Sequence, residues 1–247
     1  MSLKLLTIPY SHYCERARWG LDYAGLDYIE EGHAPFFHAY YNRKAGAGRM
    51  VPALVTEDRV INGSDRILEF INTSGTLLYP DQQSRDILSW EARFDRTFGI
   101  LSRVWAYIHL QSAPELLHEI LETGTPKEYP LLKAFVPKAL ETIVKLYRAY
   151  PHRLARVEQE LNAALDQCDF ILRDQRPFFM GETFTAADIT LCALAGVLVM
   201  PHESGFTYPA LQKFPEAMQS QILTWRKRPV GQYILRMYAN HRTGFGV

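Results

Sequence analysis

Over the first third of the chain, short apolar runs alternate with helix-period stripes. Leu3–Ile8 (LKLLTI) reads as a strand, and Cys14–Ala24 reads as a helix with apolar residues at 17, 21 and 24 and a stop at Gly25. Leu26–Glu31 reads as a second strand, and His33–Arg43 as a weaker, irregular helix. Ala53–Thr56 and Arg59–Ile61 are two short strands joined at Glu57-Asp58. Ser64–Asn72 then carries Ile67, Leu68 and Ile71 on one helical face. The order β-α-β-α-β-β-α predicts a small sheet with helices packed on it, within residues 1–79.

The character changes after Leu77-Leu78-Tyr79-Pro80-Asp81, where Pro80 marks a linker. Strand signals then all but vanish, and an all-α domain is expected over 85–247. Ser84–Leu110 carries one long helical period through Leu88, Ala92, Phe94, Phe98, Leu101, Trp105 and Ile108. Pro114, Pro126, Pro130 and Pro137 break residues 112–150, which nevertheless hold enough apolar side chains to pack as two or three short helices. Leu154–Leu172 is an amphipathic helix and Phe184–Met200 a buried one. Pro215–Arg226 and Val230–Ala239 close the chain as helices.

Composition narrows the class of function. With 27 basic and 27 acidic residues the formal charge is zero, so nothing global recruits nucleic acid or an anionic membrane. The Arg226-Lys227-Arg228 run reads as a solvated helix face. No apolar run approaches the ~20 residues of a membrane helix; the longest, Ile189–Met200, has the length of a core helix. Cys14, Cys168 and Cys192 are an odd count without metal-ligand spacing, which points to a reducing compartment. The chain enters a strand at once, without the charged and apolar regions of a secretory leader, so a cytoplasmic protein is expected.

Four motifs carry the chemistry. Pro9-Tyr10-Ser11-His12-Tyr13-Cys14 sits at a strand-to-helix turn, where free N–H groups and the helix dipole stabilise an anion. A thiol-handling enzyme would place a cysteine at position 11. A serine cannot itself become a thiolate, but its hydroxyl can donate to a thiolate supplied from outside. Ser11 is thus either that donor or a plain N-cap. In Met50-Val51-Pro52-Ala53-Leu54, a cis bond at Pro52 would turn the Val51 backbone out of the sheet toward an extended ligand. Asn62-Gly63-Ser64-Asp65 starts a helix whose Ser64 either caps it or receives a carboxylate. Phe184-Thr185-Ala186-Ala187-Asp188-Ile189 combines a capping box (Thr185, Asp188) with a hydrophobic staple, so Asp188 is structural.

Taken in order, these motifs resemble the cytosolic glutathione transferases of the serine or cysteine type, including theta-, omega- and bacterial-like members. The resemblance spans nearly the whole chain. It implies a thioredoxin-like α/β N-terminal domain followed by an all-α C-terminal domain, with glutathione as co-substrate and an electrophilic small molecule as its partner. Ser11 would hold the glutathione sulfur, Val51 with Pro52 would pair with the cysteinyl backbone, and Gly63 with Ser64 would hold the γ-glutamyl carboxylate. The family usually carries an acidic residue or Gln where Gly63 stands, and a Lys or Gln where Met50 stands. Arg49 or His38 would then take the glycyl carboxylate. Tyr10, His12, Trp105 and Tyr107 are the candidates for the second-substrate pocket, with residues 112–150 either shaping its mouth or merely lengthening the bundle. No metal is implied, and a homodimer is. Two alternatives stay open: a glutathione-dependent reductase or lyase using Cys14, and a catalytically silent scaffold.

Overall fold

Strand β1 (Leu3–Thr7) nucleates the first domain in the computed structural model, which describes residues 3–242. It pairs in parallel with β2 (Tyr28–Gly32) and antiparallel with β3 (Ala53–Val55), which turns back into β4 (Val60–Asn62). The sheet order is β2-β1-β3-β4. Leu5 stands opposite Glu30 on one side and Leu54 on the other. The crossovers are α1 (His12–Tyr23) and α2 (Phe37–Lys44), and α3 (Ser64–Thr73) follows β4. Helix α3 packs beside α1, its Ile67, Leu68 and Ile71 fully buried as the 3.6-residue period requires. This is the thioredoxin-like arrangement.

From Ser84 on, the described chain is almost entirely helical. Helices α4 (Ser84–Arg96) and α5 (Phe98–Leu110) come first, then α6 (Pro114–Gly124), a short α7 (Tyr129–Leu132) and α8 (Val136–Tyr147). Helices α9 (Leu154–Leu172), α10 (Ala186–Val199), α11 (Glu216–Arg226) and α12 (Pro229–His241) complete the bundle. Pro114, Pro130 and Pro137 all lie in the first turns of their helices, where a missing N–H costs nothing, so these prolines start helices as well as interrupting the segment.

One expected element divides. Residues 84–110 form two helices, because Thr97 leaves helical geometry with φ −100° and ψ −85°. The apolar stripe runs straight through the break at Ile87, Phe94, Phe98, Leu101, Trp105 and Ile108, so periodicity alone cannot see it. The Thr97 hydroxyl donates to the Arg93 carbonyl at 2.8 Å, a local bond that competes with the helix ladder.

Helix α10 is the centre of the bundle. It is buried on every side, and α1, α4, α5, α11 and α12 pack around it. Asp188 anchors its start more heavily than a capping box requires. The carboxylate accepts from the Thr185 N–H at 2.7 Å, the Thr185 hydroxyl at 2.9 Å and the Phe179 N–H at 2.7 Å, and also from the Tyr233 hydroxyl. Removing it strands several buried donors, each costing about 1–3 kcal/mol. Asp188→Ala is therefore expected to lower unfolding free energy by more than about 2 kcal/mol. Denaturant titration checks the loss, and a variant with wild-type stability would show that the carboxylate holds nothing together.

Candidate active site

The chain places Ser11 as the N-cap residue of α1, in extended conformation (φ −83°, ψ 123°). Its N–H donates to the Ile8 carbonyl at 3.0 Å, which closes the turn out of β1. Its hydroxyl makes no capping hydrogen bond to the helix. The hydroxyl thus stands at the positive end of α1 without serving the helix's own N–H groups. It neighbours the Cys14 thiol instead.

Ser11 opens onto a cleft of about 680 Å³ between the two domains. Tyr10, His12, His38, Arg49, Met50, Val51, Pro52, Gly63, Ser64 and Tyr107 line the same cleft. The Val51–Pro52 bond is cis. Neither backbone group of Val51 has a protein hydrogen-bond partner among the described residues, although both neighbours are engaged: Asn42 donates to the Met50 carbonyl at 2.9 Å, and Gly63 N–H donates to the Pro52 carbonyl at 3.0 Å. Asn42 is fully buried and also reaches the Gly48 carbonyl at 3.1 Å, so one side chain shapes the loop that carries Arg49 and Met50.

Gly63 has φ +99° and ψ 140°, a conformation that L side chains rarely adopt. A Cβ there would lie 2.6 Å from the Asp65 Oδ1. The Asp65 carboxylate occupies the space where a residue-63 side chain would begin, and Asp65 lines the cleft. Ser64 is buried as the first residue of α3, beside the N–H groups that helix leaves free.

Trp105 is not brought to the cleft. Helical neighbours two positions apart project to nearly opposite faces, so Trp105 and Tyr107 cannot share a wall. Arg103, Ala106, Tyr107 and Leu110 form the cleft face of α5. Trp105 is fully buried on the other side, against Trp225 at 4.9 Å between ring centroids, with its Nε1 donating to Glu158 at 3.2 Å. Arg103, Asp65, Tyr147, Phe206 and Tyr208 were not singled out by sequence and do border the cleft. The signal for Arg103 was its i, i+4 spacing to Tyr107. Nothing local to Phe206 or Tyr208 marks them, because the path of an irregular loop brings them in.

The 112–150 segment forms part of the cleft wall, through Ile120 of α6 and through Thr142, Ile143, Leu146 and Tyr147 of α8. Gly124 lets it close on the first domain: a Cβ there would stand 3.0 Å from the Tyr10 ring. Glu128 completes the junction. One oxygen bonds His33 Nδ1 at 2.7 Å, and the other accepts from the Ala34 N–H at 2.7 Å.

The buried groups at the site have assignable protonation. Cys14 is fully buried, and that burial pushes its thiol up to about 11, so it stays protonated and unreactive at neutral pH. His12 is likewise buried; burial first, and the Arg103 charge second, bring its pKa down to about 3. Its imidazole is neutral, and its Nε2–H donates to the Gly99 carbonyl at 3.1 Å.

A thioredoxin-like domain faces a helical bundle, with the Ser11 hydroxyl at the strand-to-helix turn of the first domain, and solved glutathione transferases share this fold. Residues 5–74 match the family model of the glutathione S-transferase N-terminal domain. Among solved structures, the chain is similar to a glutathione S-transferase from Ceriporiopsis subvermispora in complex with glutathione, at 13% identity, covering 99% of each chain with a TM-score of 0.67. It is also similar to the beta-etherase LigF from Sphingobium sp. strain SYK-6, at 19% identity, covering 96% of this chain and 99% of that one with a TM-score of 0.61. A theta class glutathione S-transferase from Xanthomonas axonopodis pv. citri with glutathione bound matches at 18% identity, covering 94% and 96% with a TM-score of 0.55. No curated protein matches the chain in sequence. Among the described residues no helix is long and apolar enough to cross a membrane, and no cluster of His, Cys, Asp and Glu could hold a metal ion.

The neutral His12 makes stability depend on pH with a definite sign. Its folded pKa, about 3, lies below the ~6.5 of an unfolded histidine. Below pH ~6.5 the unfolded chain takes up a proton that the folded one refuses, so stability is full above that pH and is lost as pH falls. Between pH 7 and pH 5 the native protein is expected to lose about 2 kcal/mol more than a His12→Gln variant. Denaturant unfolding at the two pH values checks this; parallel losses would mean that His12 titrates normally.

Proposed function

We propose that the protein is a glutathione transferase in which the Ser11 hydroxyl stabilises the glutathione thiolate for attack on an electrophile held against the helical wall. The observation that carries this reading is a serine hydroxyl at the positive end of α1, unused by the helix and open to an interdomain cleft. Around it the contacts for an extended peptide ligand are in reach. The unpaired N–H and C=O of Val51, beside the cis Pro52, pair with the cysteinyl backbone. Ser64 and the start of α3 take the γ-glutamyl carboxylate, and Asp65 takes the γ-glutamyl ammonium in place of the acid absent at 63. Arg49 and His38 lie on the side left for the glycyl carboxylate, and Met50, at the cleft edge, is 70% exposed.

In the reaction the thiol proton leaves for solvent as glutathione binds. The sulfur lone pair then forms a carbon–sulfur bond at the electrophile, and the leaving group departs with the electron pair of the bond that breaks. The hydroxyl hydrogen bond and the helix dipole stabilise the thiolate without proton transfer to the protein. Cys14 takes no part, because it is buried and protonated. That argues against a reductase built on Cys14. The likeness to a beta-etherase favours, as a second reading, the same Ser11-held thiolate displacing an aryloxide from an ether carbon.

Two substitutions separate the roles. Ser11→Ala is expected to lower kcat by roughly tenfold or more with little change in glutathione affinity, since a hydrogen bond to a charged group is worth about 1.5–3 kcal/mol. Asp65→Asn is expected to do the reverse, raising the KM for glutathione with kcat little changed. Steady-state kinetics with a generic aryl halide reads both, and a Ser11→Ala variant with full kcat would remove the hydroxyl from the mechanism.

The reading includes a cytoplasmic location and a two-fold homodimer. Support for the dimer lies on the outer face of α3, α4 and α5, where Leu88 and Ile100 are exposed among Arg66, Glu69, Arg85 and Arg93. Light scattering at micromolar concentration should return twice the chain mass, and a single-chain mass would refute it.

A further inference from the structure

Among the described residues the Arg103 guanidinium is a cation without an anion. It projects from α5 into the cleft, yet it forms no ion pair and no hydrogen bond with any of them, and its Nε is buried without a partner there. The other arginine deep in this region behaves differently: Arg16 is bonded to Glu91 at 2.5 Å and to Asp95 at 3.2 Å. Asp95, the acidic side chain of the helical domain that lines the cleft, is thereby already engaged. What does hold Arg103 is aromatic. Its Cζ lies 4.0 Å over the Tyr147 ring and 5.9 Å from the Tyr13 ring. Stacking of that kind uses the faces of the guanidinium and leaves its in-plane N–H fork free for a planar anion. A second unsatisfied donor borders the same space, because the Tyr10 hydroxyl is buried without a partner. Leaving buried donors unmade is costly, and a charged one most of all. Aromatic and aliphatic side chains line this part of the cleft beside the neutral His12, with Phe206 edge-on to Tyr10 at 5.9 Å and Leu110 and Ile143 on the helical side.

We propose that Arg103 is the specificity-determining residue of the second-substrate pocket and that the electrophile is an aromatic molecule bearing a carboxylate, which the Arg103 fork receives while the ring lies among Tyr147, Tyr107 and Phe206. The inference rests on the glutathione-transferase reading for the word electrophile, but the anion site itself does not. On that reading glutathione's own carboxylates go to α3 and to the Arg49 loop, on the first-domain side. Arg103 belongs to the opposite wall.

The binding test uses unreactive probes. Calorimetry with 2-naphthoate and the neutral 2-naphthamide, with S-methylglutathione present to fill the first-domain half, is expected to give naphthoate binding at least roughly tenfold tighter than the amide. Arg103→Gln should abolish that preference, and Arg103→Lys should keep part of it because a point charge survives without the fork. A turnover test uses 4-chloro-3-nitrobenzoate and 4-chloro-3-nitrobenzamide, where the thiolate displaces chloride, which leaves with its bonding pair. The ratio of their kcat/KM values should fall by roughly tenfold in Arg103→Gln, with the KM for glutathione unchanged. Equal binding of the two naphthyl probes, a preference that survives Arg103→Gln, or a variant that loses the amide reaction as much as the benzoate reaction overturns the proposal. So does displacement of naphthoate by S-methylglutathione. If the native protein turns over neither chloride, the transferase reading fails separately, and the naphthoate preference and its dependence on Arg103 still decide the anion site.

Discussion

The bond between Arg16 and Glu91 holds the two domains in the relation on which the cleft depends. Arg16 lies on α1, one turn beyond Ser11, and is 1% exposed. Its partner is on α4, and Glu91 in turn accepts from the Thr190 hydroxyl of α10 at 2.8 Å. A buried charge pair adds little net stability, but separating its members is costly, so the pair tolerates only one docking geometry. The same helix carries Glu15, bonded to Arg242 at 2.8 Å and to the Gly205 N–H at 3.1 Å, and Trp19, whose indole donates to the His241 carbonyl at 3.0 Å. Arg18 faces the other way, to Glu30 of β2 at 2.6 Å. Helix α1 is thus fastened at both ends of its length to parts of the chain more than 70 residues away, and the hydroxyl at its start inherits that rigidity.

The first domain was the more legible half because its signals are local. A strand, a cap-like serine, a Val-Pro pair and a Gly-Ser helix start each occupy a few consecutive residues, and the fold brings them together by a connectivity the sequence order already implies. Ser11, Val51, Pro52, Gly63 and Ser64 accordingly meet in one cleft. The capping box at Thr185 and Asp188 is local too, although the sequence does not disclose that Phe179 and Tyr233 also converge on its carboxylate. The helical wall resisted reading for a different reason. Trp105 and Tyr107 look alike on a hydrophobicity pattern, and only the rotation of α5 about its axis, set by the bundle, decides which one the cleft receives. The break at Thr97 was hidden because the buried stripe continues across it.

The cleft itself has a chemical polarity. Its first-domain wall is made of backbone edges, helix starts and small polar side chains, which suit a peptide. Its second wall is made of tyrosines, phenylalanines and aliphatic side chains around the Arg103 guanidinium, which has no anionic partner among the described residues and, on the proposal above, receives a planar ring with a charge at one edge. The proline-broken segment between α5 and α9 contributes to that second wall through α6 and α8, and Glu128 ties it to His33 and Ala34 at the rim.

A side chain at 63 and the present Asp65 carboxylate claim the same volume, since the first atom of one would stand 2.6 Å from an oxygen of the other. Any residue but glycine at 63 must push the Asp65 carboxylate aside and also accept a backbone φ of +99°, so the start of α3 couples the two positions: what stands at 63 decides where the carboxylate at 65 can lie.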